Sequence, residues 1–421
     1  MRLIAQRMVF ILTLLPIFAW SDDRTGPVED QLIQKYSDPA LSRFVQAVVN
    51  TNPRVQAARA ALEASRAFES AAGRPLYNPE LEADYESAAD RTWEVGIGQT
   101  LDWSGKRKAR QKVAAMDRHA SEAMFEDVRR NVAIDLLSGL AAFQTEEHRK
   151  SLAIERASIM EDFASLAQRR FSAGDLNQVE ADLATLASID AQIQRATAAG
   201  KLAEATQEVR SINSNSNADQ WPVIRSELPL IANVPDPEVF VVDLPEIRAA
   251  RRDLDTANAT IEMRESERKP DPTLSIRGGR EDDSSLVGVN LSIPLYIRNR
   301  FNFEVSVAIA QRDQAQKVLN DHVRRASARL LSASERYQIS RKAWDSWQQV
   351  GQASLQRQVE LLQRLWESGE LSTTDFLVQI RQTLDTRENA LDLELTMWNS
   401  WFEWLAASGQ VYAWLGQEKS P

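Results

Sequence analysis

The 421-residue sequence predicts a mixed, mainly α protein in which long coiled-coil helical hairpins carry two β-hairpins, and three observations predict it. None of the 15 prolines lies between Pro79 and Pro222, or between Pro294 and the terminal Pro421, so two long stretches lack the strongest helix breaker. Two short segments, near residues 79–101 and 272–294, alternate polar and apolar residues strictly, as half-buried strands do. The chain is also written twice. Asn52-Pro53-Arg54-Val55-Gln56-Ala57-Ala58-Arg59 returns as Leu244-Pro245-Glu246-Ile247-Arg248-Ala249-Ala250-Arg251 at an offset of 192. Tyr77-Asn78-Pro79-Glu80-Leu81 returns as Pro270-Asp271-Pro272-Thr273-Leu274 at 193, and Gln168 to Leu176 returns as Gln363 to Leu371 at 195. Three matches in one order at a nearly constant offset make an internal two-fold repeat.

In chain order, residues 1–21 read as a secretory signal peptide: Arg2 and Arg7, the apolar run Met8 to Trp20, then the small-x-small site Ala19-Trp20-Ser21. That run is shorter than the roughly 20 residues a spanning helix needs, and no other stretch reaches that length. Residues 22–43 form an N-terminal segment. The first repeat, 44–217, opens with an alanine-rich helix over Leu41 to Ala72. Its hairpin sets Leu81, Ala83 and Tyr85 against Trp93, Val95 and Ile97 across the polar turn Ser87 to Arg91. Lys106 to Ala173 follows, 68 residues with Gly139 as the one glycine, which as a helix spans about 100 Å. Ala173-Gly174-Asp175 turns the chain into a return helix, Leu176 to Ile212. The polar run Ser211 to Asn217 leads into a linker, 218–243, holding Pro222, Pro229, Pro235 and Pro237.

The second repeat, 244–416, has the same order. Its hairpin places Leu274 and Ile276, then Val287, Val289, Leu291 and Ile293, on alternate positions around a charged turn, Arg280 to Ser285. Asn299 to Ser368 is predicted as one continuous helix. Val323, Leu330, Tyr337 and Trp344 recur every seven positions within it, with Ala326, Ala333 and Trp347 three further on, which is a coiled-coil seam. Ser368-Gly369-Glu370 turns into a last helix, Leu371 to Leu415, whose Trp398, Trp401 and Trp404 are spaced for core packing together with Trp414. Residues 417–421 are a short tail.

Composition removes several kinds of chemistry. There is no cysteine, so disulfides, thiolate metal sites and thiol nucleophiles are absent. His119, His148 and His322 are the only histidines and lie far apart, too sparse for a metal centre or a catalytic triad. No glycine-rich phosphate loop is present, and a net charge of −10 argues against nucleic acid as a partner. No enzyme activity, cofactor or bound metal is expected. A content of 43 % hydrophobic residues suffices for buried cores. Four strands cannot close a membrane barrel, which in bacteria takes at least eight, so transmembrane strands would require oligomerisation: two copies supply eight and three supply twelve.

The sequence resembles the outer membrane efflux protein family, the TolC-like ducts of tripartite export systems, and most closely their cation-efflux, cobalt-zinc-cadmium resistance branch. The resemblance rests on Asn52-Pro53, Tyr77 to Leu81, Gln99-Thr100-Leu101-Asp102-Trp103-Ser104-Gly105-Lys106-Arg107, its counterpart Leu291-Ser292-Ile293-Pro294-Leu295-Tyr296, and the motifs Arg170 to Leu176 and Leu365 to Leu371. It implies a homotrimer whose twelve strands form one barrel in outer membrane lipid, continued by an α-helical tunnel across the periplasm. It also implies docking of the tip residues Gly174, Asp175, Leu176, Gly369, Glu370 and Leu371 onto a periplasmic adaptor, and coupling to an inner-membrane pump of the resistance-nodulation-division type.

The lack of cysteine means that the lipid anchor of some relatives is not expected. The family's acidic residue past each tip maps to Glu180 and Asp375, where three copies would set rings of carboxylates at a constriction. Acids at helix starts also simply complement the helix dipole. The function expected is passive conduction of heavy-metal cations to the exterior. Conduction of drugs or of a secreted protein stays open, as does, in another class, a periplasmic coiled-coil adaptor or scaffold.

Overall fold

The computed structural model describes residues 38–87, 91–213, 221–225 and 237–417. The signal-peptide reading, most of the 22–43 segment and most of the linker lie outside the described residues. Helix α1 (Pro39–Thr51) starts at Asp38, whose carboxylate accepts the Ala40 N–H at 2.8 Å. Where the sequence predicts one helix to Ala72, a second, α2 (Pro53–Ala72), begins instead. Asn52 precedes a proline and is driven to an extended ψ of 131°, which breaks the helix. Its side chain caps α2 through the Arg54 N–H at 2.9 Å and donates to the Ile212 carbonyl at 2.8 Å, tying the bend to the end of the return helix.

Strands β1 (Glu80–Ser87) and β2 (Arg91–Thr100) lead to α3 (Lys106–Ala173), one unbroken helix of 68 residues, and α4 (Gln178–Ile212) runs back along it. A single turn, α5 (Pro237–Phe240), precedes α6 (Pro245–Glu267) and strands β3 (Thr273–Glu281) and β4 (Ser284–Ser292). The two predicted hairpins are joined: β2 pairs antiparallel with β3, giving one four-stranded sheet in the order β1-β2-β3-β4 with both outer edges unpaired.

The predicted continuous helix 299–368 is not continuous. It runs as α7 (Asn302–Ser346), a π turn (Trp347–Gly351) and α8 (Gln352–Glu367). A Cβ on Gly351 would lie 2.3 Å from the Trp347 ring, so glycine is what lets the indole lie over the widened turn. Of the predicted heptad seam, Ala326, Leu330, Ala333, Tyr337 and Trp344 are buried, whereas Val323 at its start is exposed and Trp347 at its end is half-buried where the π turn begins. Helix α9 (Thr373–Ser408) returns along α7 and α8 and ends at Gly409, whose φ of 73° admits the turn into α10 (Val411–Trp414).

Two cores hold the helices together. The larger gathers α1, the middle of α3, α7 and the end of α9, where Trp401 and Trp404 stack at 5.0 Å and Tyr337 packs on Trp401 at 4.9 Å. The tryptophan set is therefore core. The smaller core lies toward the turn between α3 and α4. Between the two, and along the edge of the smaller one, α3 and α9 are registered by ion pairs: Arg149 to Glu388 at 2.9 Å, Arg156 to Asp385 at 3.0 Å and Arg387 to Glu155 at 2.7 Å.

Helices become strands at a collar centred on Asp271. This carboxylate, 3 % exposed, receives the Tyr77 hydroxyl at 2.9 Å, the Ser104 hydroxyl at 2.9 Å and the Lys106 ammonium at 2.9 Å, so it ties three of the four helix–strand connections together. Partial burial, and then the hydrogen bond to Asp271, push the Tyr77 phenol up to about 12. Asp271→Ala leaves the Lys106 ammonium buried without its counterion, and the full chain in detergent is expected to lose about 3 kcal/mol of stability, read from its denaturation midpoint. Adding Lys106→Met should recover part of that loss; an unchanged midpoint in the single variant removes Asp271 as the tie.

Candidate functional site

Two regions of the fold present residues suited to interaction. At the end of the molecule opposite the sheet, α3 and α8 both end in a left-handed glycine, Gly174 at φ 86° and Gly369 at φ 79°. In each the chain closes by the same pair of bonds. Asp175 N–H donates to the Arg170 carbonyl at 2.9 Å and Gly174 N–H to Phe171 at 3.0 Å; Glu370 N–H donates to Leu365 at 2.9 Å and Gly369 N–H to Trp366 at 3.1 Å. Asp175 and Glu370 project into solvent, while Leu176 and Leu371 are half-buried against the smaller core.

Glu180 and Asp375 follow as the third residues of α4 and α9. Glu180 closes a capping box, its N–H donating to Asn177 Oδ1 at 3.0 Å and its carboxylate accepting the Asn177 N–H at 3.1 Å. Asp375 donates its N–H to Ser372 Oγ at 3.1 Å and accepts the Ser372 hydroxyl at 2.7 Å. Each carboxylate is thus bonded within its own first turn, the position where it also complements the helix dipole.

What joins the two tips is Arg170, a residue the sequence reading left inside a motif. Its guanidinium donates to the Trp366 carbonyl at 3.0 Å and the Glu367 carbonyl at 2.9 Å, and lies 4.9 Å from the centre of the Trp366 ring. It gives the Glu367 carbonyl a donor at the end of α8 and adds a second to the Trp366 carbonyl, which already accepts the Gly369 N–H. Beneath it Phe163, Trp366 and Phe376 pack with centroids 4.5 to 5.3 Å apart. One signal was visible in the sequence: at an offset of 195, Arg170 falls opposite Leu365, a break in the correspondence between the two motifs.

The sheet is the second region. Its register puts Leu81, Ile97, Ile276 and Val289 in one row across all four strands, with Val95 and Val287 in the next and Tyr85 opposite Trp93 beyond it. This face is apolar and open, Val287 being 84 % exposed and Leu81 80 %. The other face carries Glu80, Glu82, Asp84 and Glu86 on β1, Glu94 on β2 and Glu281 on β3. Arg277 is the one cation among them, 3.7 Å from Glu82 and 3.8 Å from Glu94. A Cβ on Gly96 would lie 2.8 Å from the Arg277 side chain, so glycine makes room for it. An exposed apolar face backed by an acidic one is the pattern of a wall between lipid and an aqueous lumen. Among the described residues no helix is long and apolar enough to cross a membrane, and no three histidine, aspartate or glutamate side chains converge as a metal site.

The family model for outer membrane efflux protein matches residues 44–213 and 243–410. The sequence is 24 % identical over 348 residues to the cobalt-zinc-cadmium resistance protein CzcC of Cupriavidus metallidurans, covering 80 % of this chain and 79 % of that protein. The fold superposes on the CmeC outer membrane channel of Campylobacter jejuni with a TM-score of 0.77 at 14 % identity, over 99 % of this chain and 95 % of that one. It superposes on the open state of the MtrE outer membrane channel of Neisseria gonorrhoeae with a TM-score of 0.74 at 17 % identity, over 94 % and 98 % of the two chains.

At the tip, Arg170→Ala should free the last turn of α8 while leaving the rest folded. Loss of two charge-assisted bonds and the ring contact, about 1 to 2 kcal/mol locally, predicts roughly tenfold faster amide exchange over residues 365–371. Equal exchange in variant and parent would show that the tips are held by the aromatic cluster alone.

Proposed function

The chain belongs to the outer membrane efflux protein family, resident in the outer membrane with a large periplasmic helical part, and from that premise we propose that it is the passive exit duct of a tripartite efflux system. The observation that carries the reading is the sheet. Its apolar face is exposed, its other face is acidic, and its β1 and β4 edges are unpaired. A strand edge in lipid leaves backbone donors and acceptors without partners, so the edges must pair with other copies. Three chains of four strands would close a twelve-stranded barrel, the homotrimer that the resemblance implies. The helices would continue it as a tunnel, and the duplicated sequence would build each chain as two similar halves.

The remaining parts take roles from this arrangement. The paired tips, with Gly174, Asp175, Leu176, Gly369, Glu370 and Leu371, would meet a periplasmic adaptor, and energy would come from an inner-membrane pump of the resistance-nodulation-division type. Glu180 and Asp375, repeated in three copies, would ring the entrance with carboxylates in addition to capping their helices. The proposed cargo is heavy-metal cations, supported by the metal-resistance relative and by the acidic face of the sheet, which favours cations over anions in transit.

Full-length protein in a planar bilayer should conduct with a preference for cations, and Glu82→Gln with Glu94→Gln should weaken that preference. Charge reversal at Glu180 and Asp375 together should change conductance or leak several-fold; no change in either sinks the entrance role. A deletion strain should become sensitive to divalent metals. Sensitivity to drugs alone would move the cargo to drugs, and recovery of the protein as a soluble periplasmic monomer would replace the duct by a scaffold.

A further inference from the structure

We propose that the collar between helices and strands is a binding surface for anionic phospholipid headgroups, holding the duct at the helix-side leaflet of its membrane; this rests on the membrane-duct reading above. The argument begins with charge. The chain as a whole is acidic, at −10, and the polar face of the sheet is acidic too. Yet the four helix–strand connections, residues 73–79, 101–105, 268–272 and 293–301, together with the first three residues of α3, hold eight lysines and arginines against two aspartates. Both aspartates are already occupied. Asp271 is enclosed by Tyr77, Ser104 and Lys106, and Asp102 accepts the N–H groups of Lys106 and Arg107, each at 2.8 Å.

The cations are largely uncompensated. Among the described residues Arg107, Lys108, Arg298 and Arg300 are exposed and pair with no carboxylate. Of the acids one turn deeper, Glu262 is taken by Lys112 at 2.7 Å and Glu267 by Arg264 at 2.8 Å, Glu304 accepts the Asn299 amide, and Glu265 lines a cleft with Arg268, Lys269 and Arg300 without an ion pair to any of them.

The second observation is where these cations stand. Exposed apolar residues do not stop at the strand ends. Past β2 the chain presents Leu101 and Trp103, and past β4 Ile293, Leu295 and Ile297, the last two 75 % and 73 % exposed. Trp103 is held with its indole N–H donating to the Pro270 carbonyl at 2.7 Å, so its ring is fixed while remaining 65 % exposed. Within one to five residues of these apolar ends come Arg107, Lys108, Arg298 and Arg300. An apolar band that ends in fixed aromatic and aliphatic side chains, with unpaired cations directly beyond, matches the passage from acyl chains to phosphodiester headgroups. A neutral headgroup would leave the cations without counterions; an anionic one supplies them.

The test compares the parent with the variant Arg107→Gln, Lys108→Gln, Arg298→Gln, Arg300→Gln, all exposed positions outside the sheet. Full-length protein is reconstituted into vesicles of phosphatidylcholine containing one fifth phosphatidylglycerol, and the lipid retained around it is compared with the bulk. The parent should raise the ratio of phosphatidylglycerol to phosphatidylcholine in the retained lipid about fivefold over the bulk, the factor that one basic side chain near an anionic surface supplies, and the variant should lose the enrichment while still inserting and conducting. Arg195→Gln with Lys201→Gln on α4 should keep it. Equal lipid composition around parent and variant overturns the collar proposal and leaves the duct intact. Failure of the parent to insert or conduct in any vesicle overturns the duct reading and the collar with it.

Discussion

One buried carboxylate sits where this chain changes from helix to strand, and the rest of the architecture depends on that change being abrupt. A helix rises about 1.5 Å per residue and a strand about 3.3 Å, with side-chain periods of 3.6 and 2, so a pattern that reads one way on one side of the junction must read the other way immediately after it. Asp271 enforces the switch. By taking donors from Tyr77, Ser104 and Lys106 it fixes the angle at which α2, α3 and α6 meet the sheet. With the angle fixed, β2 and β3, which belong to different hairpins, arrive close enough to pair over nine residues, and a row such as Leu81, Ile97, Ile276 and Val289 can form across all four strands.

Away from the collar the problem is length. A helix of 68 residues has no single core to bury its face, and its mean hydropathy is low. The structure holds it at two places, around the tryptophans and around Phe163, with arginine pairs between. Arg149 is mostly buried and reaches Glu146, Glu388 and Asp392, which offsets its desolvation and sets the register of α9 against α3. Ion pairs suit this stretch better than a third apolar core, because they specify register along helices that would otherwise slide.

The large features were legible in the sequence because they follow from local rules. Proline-free length, strict alternation and a paired glycine at each tip are properties of neighbouring residues, and α3 spans Lys106 to Ala173 as read. What escaped depends on residues far apart in the chain. Pairing of β2 with β3 joins positions nearly two hundred residues apart, and nothing in either hairpin alone announces it. The π turn at Trp347 needed a glycine four residues later to be weighed against an indole, whereas the heptad pattern ran smoothly across it. Arg170 looked like one basic residue in a motif; only the position of α8 makes it a cap on another helix. The bend at Asn52 follows from the proline after it, while the alanine-rich pattern on either side favours one helix.

Charge is distributed along the long axis in a way that composition hides. The net value of −10 describes an acidic protein, but the acids on the sheet lie on one face, cations gather at the collar, and Arg149 and Arg156 of α3 are consumed in pairing it with α9. Such segregation has an electrostatic reason. An acidic lumen wall next to an acidic headgroup region would expel the sheet from an anionic leaflet, since like charges within a Debye length of about 8 Å repel. In the proposed duct, a basic collar between them would separate the two fields and give each its own counterion: cations in transit for the wall, phosphodiesters for the collar. The apolar face would then lie in lipid at a depth set by charge on one side as firmly as by hydrophobic length on the other.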